Sequence, residues 1–177
     1  MKDMGTAEEV VNIQRLLPGN IPAAIDEFAE RVYNGDRSEA ERHFKGHLDG
    51  KADTFVARVG GRLAGYITIR WESEYEPFRR EGIPFINHLE VFPKFQRRGI
   101  GSALMDAAEA LIATRARKAC ICVGLFGAYG PAQRLYVKRG YVPDGRGVCE
   151  GHRPLEPGER VEIGHHLLLW LTKELNV

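Results

Sequence analysis

Leu89-Glu90-Val91-Phe92-Pro93-Lys94-Phe95-Gln96-Arg97-Arg98-Gly99-Ile100-Gly101 decides how the chain is read. An apolar run stops at Pro93, which cannot donate to a β-ladder. A helical pattern opens at Gly101, where Leu104, Ala107, Ala108, Leu111 and Ile112 recur at spacings of three and four. Gln96 to Gly101 therefore joins a strand to a helix. Its two glycines let the main chain approach a ligand closely, and the first helical N–H groups point outward unpaired. The helix dipole adds roughly half a positive charge, and Lys94, Arg97 and Arg98 add side-chain cations, so the junction suits a phosphate. The Rossmann pattern wants a third glycine where this chain has Leu104, and no G-x-x-x-x-G-K-[ST] occurs. A dinucleotide or ATP is disfavoured.

Working outward, Pro84 to Phe92 is the strand before the junction. Thr54 to Val59 and Arg62 to Trp71 predict a hairpin about Gly60-Gly61, because a primed turn needs two positive φ angles. Glu72 to Gly82 breaks every period and predicts a loop. Nearer the start, Val10 to Leu16 reads as a strand and Asn20 as the cap of a helix with the stripe Ile25, Phe28, Ala29 and Val32. Ser38 is placed to cap a second helical stretch, Glu39 to His47, with Glu41 three residues on. Beyond the junction, Ala119 to Leu125 suits a strand buried on both faces by a parallel β-α-β crossover. A short helix between Pro131 and Gly140, a strand Tyr141 to Val148, a polar connection Cys149 to Gly164 and a last strand Leu167 to Leu171 complete the order.

The 177 residues fit one domain, residues 9–177, behind a loose tail of residues 1–8. A formal net charge of +1 gives no broad footprint for a polyanion, which disfavours nucleic acid as the main partner. No apolar stretch is long enough for a membrane span, and Met1 to Glu9 lacks the apolar segment of a signal peptide, so the expectation is a cytoplasmic protein. Cys120, Cys122 and Cys149 cannot all pair and read as reduced thiols. His165-His166, with His152 upstream, invite a metal. Neighbours in a strand face opposite sides, however, and no Cys or carboxylate stands at ligand spacing, so no metal is expected.

The quoted stretch resembles the acetyl-CoA-binding signature of the GNAT acetyltransferase superfamily, [QR]-x-x-G-x-[GA]. Ala132-Gln133-Arg134-Leu135-Tyr136-Val137-Lys138-Arg139-Gly140-Tyr141 is similar to that family's second signature, a short helix carrying Leu-Tyr and ending in Gly-Phe or Gly-Tyr. The resemblance covers about residues 9–175. It implies a mixed α/β fold with a mostly antiparallel central sheet and a parallel β-α-β core. It also implies acetyl transfer from acetyl-CoA to a primary amine of a small molecule or peptide, by direct attack in a ternary complex without a metal.

Carried over residue by residue, backbone N–H groups of Arg97, Arg98, Gly99, Ile100, Gly101 and Ser102 would hold the CoA pyrophosphate, with Gln96 also among the cofactor-binding residues. Peptide groups of Leu89 to Val91 would bond the pantetheine arm and polarise the thioester. Tyr136 would be the acid that protonates the departing thiolate; the alternative is a core tyrosine. Strand alternation puts Ile86, His88 and Glu90 on one face and Asn87, Leu89 and Val91 on the other, so Glu90 or His88 could take the amine's proton. Glu72, Glu74 and Glu76 are alternatives, against the plainer reading of a solvated face. Gly124 to Gly130 lacks the asparagine that many members use on the pantetheine amide, leaving Tyr129 or Gln133 to substitute.

Two rivals stand beside the enzyme. A non-catalytic acyl-CoA-binding regulator would keep Gly99 and Gly101 and need neither Tyr136 nor a base. A nucleic-acid-binding regulator would rest on Lys94, Arg97 and Arg98 alone. Leu167-Leu168-Leu169-Trp170-Leu171 suits either a homodimer contact or burial against the chain's own core.

Overall fold

A computed structural model describes residues 10–175; the expected tail, residues 1–8, lies outside them. Eight strands form one sheet in the order β1-β2-β3-β4-β5-β8-β6-β7. They are β1 Val11–Arg15, β2 Ala52–Val59, β3 Arg62–Arg70, β4 Phe85–Val91, β5 Lys118–Gly124, β6 Val142–Glu150, β7 Arg153–Pro154 and β8 Leu167–Glu174. Neighbours run antiparallel except β4 and β5, which run parallel across the helix that joins them. The helices are α1 Ile21–Arg31, α2 Arg37–Phe44, α3 Glu76–Glu81, α4 Ile100–Ala113 and α5 Gly130–Lys138.

The sheet is two-faced because its strands alternate. On one face Ile67, Ile69, Ile86 and Ile121 meet Ile100, Leu104, Met105, Ala108 and Ile112 of α4. On the other, Val56, Leu63 and Tyr66 meet Phe28 of α1 and Ala40 and Phe44 of α2. Further along, α3 seats Phe78, and Tyr75 just before it stacks on Trp170 of β8, with centroids 4.6 Å apart. Each fully buried side chain of this kind contributes about 1.5–3 kcal/mol, so the α4 stripe anchors the loop that precedes it. The turn at Gly60 (φ 55°) and Gly61 (φ 77°) has the two left-handed residues that its sequence predicts.

Four expectations need correction. Glu72 to Gly82 is not all loop, because α3 occupies Glu76–Glu81, with Pro77 in its first turn and left-handed Gly82 (φ 66°) ending it. Six residues are too few to show a period. The cap of α2 is Asp36, which accepts from the Glu39 N–H at 3.1 Å, not Ser38. The Asn20 side chain fastens the preceding 3-10 turn by accepting from the Leu17 N–H at 3.2 Å, and does not cap α1. Cys149 to Gly164 contains the end of β6 and the two-residue β7.

Among the described residues, no helix is long and apolar enough to cross a membrane. The three cysteines are free thiols.

Candidate active site

The site is made where β4 stops obeying its alternation. Asn87 pairs with Thr68 and Glu90 with Tyr66, so His88 and Leu89 together oppose the single residue Ile67. This is a β-bulge, and His88 takes the left-handed angle it requires (φ 53°). The expected grouping of Ile86, His88 and Glu90 on one face therefore fails. Ile86 packs in the α4 core, whereas the His88 ring lies 5.1 Å from that of His43 on α2 and Glu90 accepts from the Tyr66 hydroxyl at 2.8 Å. Leu89 and Val91 keep to the α4 side.

Beyond the bulge β4 parts from β5, the two strands pairing only at Phe85 with Cys120 and Ile86 with Ile121. Two cavities open along the gap. The larger, about 710 Å³, is lined by Leu89, Glu90, Val91, Gln96, Arg97, Gly99, Ile100, Gly101, Ser102 and Tyr136, and so unites ten of the residues singled out from the sequence. Arg98 is not among its walls; its guanidinium lies over the Phe95 ring, 5.9 Å from the centroid. The smaller, about 270 Å³, is lined by Asn87, His88 and His165 among others. Leu89, Cys122, Tyr129 and Tyr136 belong to both walls. Glu72, Glu74 and Glu76 line neither; Glu76 pairs with Arg80, and Glu74 lies 3.9 Å from His152.

The loop between β4 and α4 is shaped for an anion. Arg97 (φ 63°) and Gly99 (φ 77°) are both left-handed, and α4 begins at Ile100 with no side chain capping it. The first residues of α4, Ile100, Gly101 and Ser102, line the larger cavity, and a helix start leaves its leading N–H groups without intrahelical partners. Gln96 ties the loop back by donating from Nε2 to the Val91 carbonyl at 2.9 Å.

Tyr136 is buried, which pushes its phenol above the ordinary value of 10, with Cys122 and Tyr129 adding to the shift. Burial likewise pushes the Cys122 thiol up to about 12, so it is no thiolate nucleophile. Crowding by the protein and then the nearby Arg70 hold His88 below the ordinary 6.5, so its imidazole is neutral at pH 7. Gln133 donates to the Gly124 carbonyl at 2.8 Å, and the Tyr129 hydroxyl bonds His165 Nδ1 at 2.9 Å, both residues lining the smaller cavity.

Sequence reasoning misses Tyr66, His43 and the Tyr129–His165 pair. Tyr66 lies in an apolar strand and His43 in a short polar helix, and nothing local says that they converge on β4.

A model of the acetyltransferase (GNAT) family matches residues 21–141. No curated protein sequence matches the chain. Solved structures do. One is described as an acetyltransferase of the GNAT family from Desulfovibrio desulfuricans, at 16% identity and TM-score 0.64, covering 94% of this chain and 100% of its own. Arabidopsis thaliana NAA60 in complex with acetyl-CoA shares 18% identity at TM-score 0.63, covering 95% and 100%. A Salmonella typhimurium acetyl transferase that modifies the N-terminal serine of ribosomal protein L7/L12 shares 12% at TM-score 0.62, covering 94% and 95%. At these identities the likeness is one of fold.

Proposed function

The chain belongs to the acetyltransferase (GNAT) family, and on that footing we propose that it transfers an acetyl group from acetyl-CoA to a primary amine by direct attack. One observation carries the reading: two cavities meet at Leu89, Cys122, Tyr129 and Tyr136, where a thioester and an amine would be in reach of each other.

The uncapped N–H groups from Arg97 to Ser102 hold the pyrophosphate, and the open edge of β4 at Leu89 to Val91 bonds the pantetheine arm. Acetyl-CoA, as cosubstrate, supplies the activated acyl carbon. The amine enters by the smaller cavity, where neutral His88 can accept a hydrogen bond from it. Its nitrogen bonds to the acyl carbon, the C–S bond breaks, and Tyr136 gives its proton to the sulfur. The phenol's upward shift keeps that proton in place at neutral pH until it is needed. Glu90 takes the proton that the amine loses. Cys122, a buried thiol without an adjacent base, carries no acyl group, and no metal takes part.

The acceptor is a small-molecule or peptide amine. Release of free thiol from acetyl-CoA, measured against polyamines, aminoglycosides, amino acids and peptides with free N-termini, tests the reading. Turnover that falls in Tyr136→Phe supports it. Tight acetyl-CoA binding without turnover on any amine would replace it with a regulatory acyl-CoA-binding role.

A further inference from the structure

The last turn of α5 is built around Tyr136. Its carbonyl accepts from the Tyr141 N–H at 3.0 Å, the Val137 carbonyl accepts from the Gly140 N–H at 3.0 Å, and Gly140 is left-handed (φ 86°). These are the two bonds of a Schellman motif, which also sets the residue after the glycine against the one whose carbonyl it bonds. The Tyr141 ring accordingly lies 6.1 Å from that of Tyr136. Arg139, the cap residue, donates its own N–H to the same Tyr136 carbonyl at 3.1 Å. Whatever holds Arg139 and Tyr141 therefore holds Tyr136.

Arg139 is gripped by α4. Its Nε and Nη2 donate to the two carboxylate oxygens of Glu109 at 3.0 and 2.9 Å, Nη2 also donates to Asp106 Oδ1 at 2.6 Å, and Nη1 donates to the Ser102 carbonyl at 3.5 Å. Ser102, Asp106 and Glu109 are spaced by four and then three residues, so they form one stripe of α4 leading away from the anion loop. From β8, Lys173 donates to Glu109 Oε2 at 2.7 Å, and its Nζ stands 5.6 Å from the centre of the Tyr141 ring. The side chains of Arg139 and Glu109 are only 14% and 11% exposed, so salt screens the pair little. Burial pushes the Glu109 carboxyl up, but the bonds from Arg139 and Lys173 more than reverse this, and Glu109 is ionised at neutral pH.

The helix needs such a hold. Of the residues of α5, Tyr136 alone is buried, so packing by itself does little to fix the helix. Gln133 ties the first turns to β5 through the Gly124 carbonyl, and Arg139 ties the last turn to α4. The two helices so joined are walls of the larger cavity, α4 through Gly101 and Ser102 and α5 through Leu135 and Tyr136. A reacting group displaced by about 1 Å loses roughly 10²-fold in rate.

We propose that Arg139, seated on Glu109 and Lys173, is the positioning residue for Tyr136, fixing the phenol where its hydroxyl meets the sulfur as the C–S bond breaks. The proposal rests on the acetyl-transfer reading above. Arg139 lines neither cavity, so it holds while Tyr136 alone moves the proton to the departing sulfur.

A double-variant cycle tests this. Arg139→Met should lower kcat by about 10-fold to 10²-fold while acetyl-CoA affinity moves by less than about threefold. The deficit should shrink with a thioester of a more acidic thiol. In a Tyr136→Phe protein the same substitution should cost less than about twofold, because the group that Arg139 positions is gone. A full loss in that background, or a loss equal for every thioester, would overturn the proposal. If Arg139→Met does not fold, Arg139→Lys keeps the cation without the fork that grips both Glu109 oxygens, and wild-type kcat with every thioester there counts equally against it. The position itself is read without substrate. In protein with ring-labelled tyrosine, the Tyr136 resonance, assigned by its absence in Tyr136→Phe, should shift and broaden in Arg139→Met; an unmoved resonance would overturn the clamp. Wild-type protein that releases thiol with no amine would strike the acetyl-transfer reading instead, and the labelled ring still decides whether Arg139 holds Tyr136.

Discussion

Gly65 of β3 backs so closely onto Glu90 of β4 that a methyl group at Gly65 would stand 2.5 Å from the Glu90 carbonyl oxygen. The contact presses the two strands together next to the bulge, leaving β4 no room to straighten. Gly65→Ala should destabilise the protein by about 1–3 kcal/mol in urea unfolding and weaken acetyl-CoA binding in calorimetry. Wild-type affinity in a folded Gly65→Ala protein would show that the bulge does not set the cofactor edge.

Tyr136→Phe removes a hydroxyl at the junction of the two cavities and little volume. We expect kcat to drop by about 10²–10⁴ with acetyl-CoA affinity unchanged, the pattern of a lost proton donor. The deficit should shrink with a thioester whose thiol is more acidic, because such a sulfur leaves without help. An equal loss with every thioester would point to packing instead.

Gly99 sits at φ 77° at the head of α4, where a side chain costs about 1–2 kcal/mol. Gly99→Val should weaken acetyl-CoA binding far more than it lowers the melting temperature, since the loop's N–H groups lose their aim while the α4 stripe stays packed. Unaltered binding in calorimetry would remove the loop from the cofactor site.

His43 and His47 are neutral in the folded protein and are held well below 6.5, to about 3 and about 4, mainly by burial. Unfolded, each takes a proton once the pH falls below about 6.5, while the folded form does not. Stability is therefore complete above that pH and is lost on acidification down to about 4, by up to roughly 1.4 kcal/mol per pH unit for each histidine. Urea unfolding from pH 8 to pH 4 should show this slope. The double variant His43→Asn, His47→Asn should be less stable at pH 7 and flatter below it.

The strand–loop–helix at Val91 to Ile100 and the turn at Gly60-Gly61 are legible because their signals are local: glycines where φ must be positive, and apolar spacing on either side. The bulge is not. Whether His88 faces with Ile86 or against it depends on Gly65 admitting the β4 backbone, a property of the neighbouring strand. Asp36 and Ser38 are both sound cap residues two positions apart, and only the approach of the turn before α2 selects Asp36. The hydrogen-bonded run from Phe44 through His47, Thr54, Thr68 and His43 to Tyr33 draws on α2, β2, β3 and the α1–α2 turn, so no window of sequence contains it. Most of the residues lining the larger cavity were readable because they lie on one continuous stretch.

The two paired residues that join β4 to β5 make the sheet mechanically a pair of leaves, β1 to β4 and β5 to β7, bound at a narrow spine. Past that spine the two leaves share no ladder pairing. An extended amide-bearing arm laid between them would serve as a guest strand, mending the rift that folding leaves. Its occupancy should then damp the relative flexing of the leaves, and amide exchange should slow on β5 and β8 as well as at the residues the arm touches.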